Sequence, residues 1–251
     1  MSVIVADGII KTFPLGARTL LRDQLRRLLS GKQKRDRFGA LKNISFKIEQ
    51  GESVAVVGAN GSGKSTLLGL VCGLTRPDRG SIQVTGRVAA LLDLTSGFHY
   101  DLTGAENIRL NASLLGLKRQ QLSGVFDNII DFSELRDFID QPLRTYSTGM
   151  VMRLAFSVAI HVDPTVLIVD EVLAVGDGPF QEKCFEKMQS FRRAGCTLLV
   201  VSHSTAMLKR VCSRAIWLDH GNLVADGPID HVIELYEHGR DAQLRANAHH
   251  S

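Results

Sequence analysis

The stretch Val54-Ala55-Val56-Val57-Gly58-Ala59-Asn60-Gly61-Ser62-Gly63-Lys64-Ser65-Thr66-Leu67-Leu68-Gly69-Leu70-Val71-Cys72 decides the fold. Its leading apolar residues predict a buried strand, its glycines a tight loop, and Leu67 to Cys72 an apolar helix. Gly58 to Ser65 match the spacing GxxxxGK[ST], the pattern of a phosphate-binding loop. The glycines let backbone N–H groups turn inward around phosphate oxygens, and the helix start adds the positive end of its dipole. Lys64 is placed to reach the β- and γ-phosphates, and the Ser65 hydroxyl to ligate magnesium. A strand before the loop and a helix after it distinguish this pattern from a glycine-rich turn.

Two further apolar runs, Val166 to Val169 and Leu198 to Val201, are continuous instead of alternating, as expected of strands buried on both faces of a parallel sheet. The first runs into Asp170-Glu171, at the strand end where ligands gather in open α/β sheets. Asp170 there can hold magnesium through water while Glu171 aims at the attacking water. His203 follows the second run and should emerge at the same edge, within reach of a γ-phosphate. An acidic pair after a strand is often a solvated turn and a lone histidine is usually structural. The shared edge with the phosphate loop is what raises these three. Between the strands the pattern is helical. Thr103 and Glu106 form a T-x-x-E capping box for a helix ending near Gly116, a second helix spans Gln120 to Phe132, and a third runs from Ser147 to before Pro164.

The 251 residues are 44% hydrophobic, enough for a substantial core, and 30 basic against 26 acidic residues leave a net charge of +4. That mild bias names no partner. No apolar run reaches the length of about 18 residues needed to cross a bilayer, and no secretory leader pattern opens the chain. A cytosolic chain is expected, touching a membrane only through a surface or a partner. Cys72, Cys184, Cys196 and Cys212 lack disulfide or zinc spacing and read as reduced packing thiols. One segment stands apart in composition. From Arg18 to Arg37 eight basic residues face only Asp23 and Asp36, and Leu20, Leu21, Leu25, Leu28 and Leu29 recur at helical spacing. This is a basic amphipathic helix with a basic loop after it, suited either to packing on its own domain or to a membrane or partner surface.

From Val3 to about Tyr236 the chain resembles the nucleotide-binding subunits of ABC transporters. The resemblance implies an α/β fold of the P-loop NTPase class, with a RecA-like mixed sheet core at about 1–92 and 163–240 and an inserted helical lobe at about 100–160. It leaves a basic insertion at about 16–38 and a polar tail at about 240–251. In that family a serine and glycine at a helix start close over the ATP of the opposite subunit. Here Tyr146-Ser147-Thr148-Gly149-Met150 occupies that place. The resemblance also assigns adenine stacking to Phe13, the phosphates to Gly58, Asn60, Gly61, Ser62, Gly63, Lys64, Ser65 and Thr66, and magnesium to Ser65 and Asp170. Catalysis falls to Glu171 and His203, and Asp177 ends a loop passing between subunits.

The insertion after Phe13, the run Leu91-Leu92-Asp93-Leu94-Thr95-Ser96-Gly97-Phe98-His99, the Tyr-Ser-Thr-Gly-Met signature and Asp170-Glu171-Val172-Leu173-Ala174-Val175-Gly176-Asp177 look like the subgroup that exports polysaccharides. The subgroup implies ATP and Mg²⁺, a homodimer, and two copies of a separate transmembrane permease subunit. It implies a peripheral place on the cytoplasmic face of the inner membrane, no direct glycan contact and no nucleic acid. Its insertion lies near the membrane subunit. The glutamine that usually links the γ-phosphate to the permease does not occur between Gly86 and Asn107, and Asp93 or Leu94 stands in roughly its place. The rival readings are an ABC ATPase for a lipid or drug cargo, and a soluble ABC-type ATPase acting on ribosomes or nucleic acid. A single ATPase unit without a coiled coil counts against the last.

Overall fold

The computed structural model describes residues 1–14, 37–91, 95, 97–170, 177–202 and 204–248, with side chains as far as Arg240. The three apolar runs form central strands: β3 (Ser53–Val57), β6 (Val166–Asp170) and β7 (Thr197–Val201). With β5 (Val88–Leu91), β8 (Arg214–Asp219) and β9 (Asn222–Pro228) they build a six-stranded sheet in the order β5-β6-β7-β3-β8-β9. All neighbours in it are parallel except the β8–β9 pair. The runs are continuously apolar because each face meets a different core. Val54, Val56, Ile168 and Leu199 face one hydrophobic cluster, while Ala55, Val57, Leu167 and Leu198 face another.

The first cluster is closed by a sheet that the apolar runs do not announce. Strands β1 (Ser2–Pro14), β2 (Arg37–Glu49) and β4 (Arg79–Val84) pair antiparallel in the order β2-β1-β4. Helix α1 (Lys64–Val71) also inserts Leu67, Leu68, Leu70 and Val71 into this cluster. Arg37, expected at the end of the basic loop, instead begins β2 and pairs with Pro14. The rest of the expected basic helix, Arg18 to Leu29, and of its loop lies outside the described residues.

The helical stretch holds α2 (Gly104–Leu114), α3 (Arg119–Ser133) and α4 (Thr148–Ala159), close to the expected bounds, around a third cluster that includes Ile108, Ile129 and Leu154. The capping box is formed. Glu106 N–H donates to Thr103 Oγ1 at 3.2 Å and Thr103 N–H donates to Glu106 Oε2 at 2.8 Å. The Thr103 N–H and the Thr103 hydroxyl, both donated to Glu106 Oε2, hold its carboxyl below the usual carboxylate range. The approach to α2 is fixed from inside by the fully buried Asn107, whose amide donates to the carbonyls of His99, Leu102 and Thr103 and accepts from His99 N–H. Every polar atom of that side chain is thereby satisfied.

Helices α5 (Gly178–Arg193), α6 (Thr205–Val211) and α7 (Ile229–Ala248) cover the other face of the six-stranded sheet. Helix α7 runs on through the start of the polar tail expected at about 240–251, as far as Ala248, and Tyr236 packs edge-on to Trp217 at 6.0 Å. Cys184, Cys196 and Cys212 are buried free thiols. Burial pushes their pKa to about 12, 11 and 12 respectively, so they pack as neutral groups.

Phe156 of α4 packs against the rings of Phe132 and Phe180, at 6.2 and 6.3 Å, and is fully buried. Phe156→Ala is expected to destabilise the fold by about 3–5 kcal/mol, read as a lowered urea midpoint with an unchanged slope.

Candidate nucleotide site

The loop from Gly58 to Gly63 turns back over the end of β3. Gly58 has φ 153° and Gly63 φ 111°, and a Cβ on either would collide with backbone, lying 2.2 Å from Leu218 O and 2.6 Å from Ala40 O respectively. Only glycine fits these two positions. Ser62 N–H donates to Ala59 O at 3.1 Å inside the loop, and Lys64 Nζ donates to Gly58 O at 2.7 Å and Ala59 O at 3.0 Å. The ammonium is therefore drawn back over the loop's own carbonyls, at the start of α1.

This fold of the loop opens a cleft of about 460 Å³. Asn60, Gly61, Gly63, Lys64, Ser65 and Thr66 line one side of it, and Asp170, at the C-terminal end of β6, faces them. Sequence pattern thus located residues more than a hundred positions apart on one cavity. Gly58 and Ser62 stand behind it. Among the described residues the Ser62 hydroxyl, buried beneath the loop, has no hydrogen-bond partner, and the Ser62 N–H is given to Ala59 O, so this residue shapes the loop from behind. Ser65 and Asp170 supply oxygen donors in the same cleft, a set that fits a hard cation such as Mg²⁺.

Phe13 is the next-to-last residue of β1, 40% exposed, with Lys11 Nζ 5.5 Å from its ring centroid. Its cross-strand partner is Phe38, 49% exposed, and Phe38 and Ala40 line the cleft. Phe38 was missed in the sequence. The register that sets it opposite Phe13 depends on how the two ends of the insertion pair. Asp78 fixes the end of β1 by accepting from Thr12 N–H at 2.9 Å and Thr12 Oγ1 at 2.7 Å, and these bonds hold its carboxyl below the usual range.

Ser147 is the N-cap of α4, its hydroxyl accepting from Met150 N–H at 3.2 Å. Ser147, Thr148 and Gly149 are exposed, Met150 is half-buried, and none lines the cleft of its own chain. Tyr146 anchors the turn from below, donating to Phe138 O at 2.6 Å. Asp177 caps α5 by accepting from Phe180 N–H at 3.3 Å. Asp93, Glu171 and His203 lie outside the described residues.

The sequence model of the ABC transporter family matches residues 41–174. The chain is 45% identical over 243 residues to the O-antigen export system ATP-binding protein RfbB of Klebsiella pneumoniae, covering 94% of this chain and 97% of that one. It is 41% identical over 235 residues to the teichoic acids export ATP-binding protein TagH of Lactococcus lactis subsp. lactis, covering 93% of this chain and 50% of that one. Among solved structures, the dimeric ATP-binding cassette MJ0796 bound to ADP and Pi shares the fold, with a TM-score of 0.72 at 20% identity over 90% of this chain and 98% of that one. The chain belongs to the ABC transporter family. It is an ATP-binding subunit of that family and an ATPase.

Lys64→Ala is expected to weaken ATP binding by roughly ten- to a hundredfold, since a phosphate loses a charge-assisted donor. Calorimetric titration with ATP checks it, and equal affinity in the variant would remove Lys64 from the site.

Proposed function

We propose that this chain is the ATP-hydrolysing subunit of a polysaccharide exporter, working as a homodimer on two copies of a separate transmembrane permease at the cytoplasmic face of the membrane. One observation carries the reading. A cleft joining the phosphate loop to Asp170 sits in a chain that matches, over nearly its whole length, proteins named for O-antigen and teichoic acid export. Among the described residues no helix is long and apolar enough to cross a membrane.

In this reading the backbone of Gly61 and Gly63 and the Lys64 ammonium hold the phosphates, and Phe13 and Phe38 offer the base an aromatic wall. Mg²⁺, held by Ser65 and Asp170, supplies charge neutralisation at the phosphates. Glu171 polarises the attacking water and His203 holds the γ-phosphate. The start of α4, exposed at Ser147, Thr148 and Gly149 and half-buried at Met150, completes the cleft of the second subunit, a reading supported by none of these residues lining the cleft of its own chain. ATP closes the dimer and hydrolysis reopens it. The glycan touches the permease alone. The basic insertion, expected at about 16–38 and bounded by the start of β2 at Arg37, meets the permease or the lipid headgroups, and no nucleic acid takes part. The domain limits follow the same reading, with the helical lobe at about 100–160 and the core lobe on either side of it.

Glu171→Gln is expected to keep ATP binding, abolish turnover and leave a dimer that elutes as such only with ATP, because the amide keeps size but not charge. In cells lacking the native gene, wild-type chain should restore surface glycan while Glu171→Gln leaves glycan inside. Normal surface glycan in the deleted strain would exclude this cargo.

A further inference from the structure

Arg153 sits one turn inside α4, the helix that Ser147 caps, and its side chain is only 19% exposed. Its guanidinium lies over the buried Phe180 ring at 4.8 Å and reaches two acids on other elements. One nitrogen donates to Asp177 Oδ1 at 2.7 Å and the other to Glu134 Oε2 at 3.0 Å. Asp177 caps α5 and directly follows the segment 171–176 that begins with Glu171. Glu134 is the C-cap of α3, in the left-handed region at φ 60° and ψ 31°, and its second oxygen accepts from Lys183 Nζ at 3.0 Å. Lys183 belongs to α5 and also donates to Phe132 O at 3.0 Å. One planar side chain thus joins α3, α4 and α5.

Stability alone is a poor reason for this arrangement. The carboxylates of Asp177 and Glu134 are 61% and 50% exposed, and pairs that open to water contribute little. A rigid fork does set geometry, because two carboxylates held by one guanidinium cannot move independently. What it holds in register here is the start of α4 and, through Asp177, the start of α5. We infer that Arg153 is a positioning residue for ATP hydrolysis, coupling the Ser147 end of α4 to Asp177, which follows Glu171 by six residues in the sequence. The inference rests on the reading that Ser147 and Glu171 serve the nucleotide. Closure on ATP then places the donor group and the water-polarising group as one unit, and hydrolysis in one cleft is felt at the helix start that serves the other.

The test measures steady-state ATPase activity, calorimetric ATP affinity and thermal midpoint on Arg153→Ala, Arg153→Lys and Asp177→Asn. Asparagine still caps α5, so Asp177→Asn removes charge and spares the helix start. Arg153→Ala is expected to lower kcat by roughly ten- to a hundredfold, the scale of a small misplacement of catalytic groups. ATP affinity should stay within about twofold, because Arg153 does not line the cleft. Arg153→Lys should recover only part of kcat, since one ammonium does not reproduce a fork between two carboxylates. Asp177→Asn should lower kcat likewise and add little to Arg153→Ala in the double variant. An unchanged kcat in folded Arg153→Ala overturns the inference. So does full recovery by lysine with the thermal midpoint, or additive losses in the double variant, which mark a structural clasp only. Ser147→Ala and Glu171→Gln run in parallel. If those two turn over normally, the site reading has failed, whereas their loss beside an active Arg153→Ala overturns the coupling alone.

Discussion

The contact on which the cleft depends is the meeting of three backbones at the phosphate loop. Gly63 packs against Ala40 O of β2, Gly58 against Leu218 O of β8, and Gly221, in the β8–β9 turn, lies close to Ala40 as well. Gly221 N–H donates to Ser62 O at 3.0 Å and Gly221 O accepts from Lys42 N–H at 2.7 Å. The outer side of the loop is therefore bonded to the β8–β9 turn, which is itself bonded to β2, and its inner side is left to face the cavity. A side chain at any of these glycines would push the sheets apart. The Lys64 ammonium completes the arrangement by tying the first turn of α1 to the carbonyls at the start of the loop.

Much of this was legible in sequence because the signals are local. The strands that meet a core on each face carry unbroken apolar runs, Thr103 and Glu106 are three residues apart, and the phosphate loop spells its spacing within eight residues. The helix start at Ser147 was also read from local pattern, and family resemblance supplied only the role expected of it. The antiparallel β2-β1-β4 sheet was less legible. Its strands carry polar residues such as Lys42, Asn43 and Lys47, and repeated register shifts in β1 break the alternation by which a half-buried strand is read. The last helix hides for a similar reason, since Glu234, Glu237, His238 and Arg240 dilute its apolar stripe.

Tertiary geometry hid the remainder. Nothing in the order of residues says that Phe38 stands opposite Phe13, because the pairing spans the insertion between them. Nothing marks Arg153 as different from any other exposed-looking arginine on an amphipathic helix, since Glu134 and Asp177 reach it only after three helices have packed. The same packing explains why the aromatic triad of Phe132, Phe156 and Phe180 matters beyond its burial: it sets the spacing at which one guanidinium can span two acids.

The β1–β2 ladder is paired to its last rung, Pro14 with Arg37, and Asp78 pins the neighbouring Thr12 and Arg37 from outside. The chain thus leaves the sheet and re-enters it at one doorway. A segment grafted at such a doorway can change in length and charge without moving a single core residue. Selection can therefore rework residues 15–36 while the threshold itself stays fixed, with Phe38 lining the nucleotide cleft and Phe13 paired across from it.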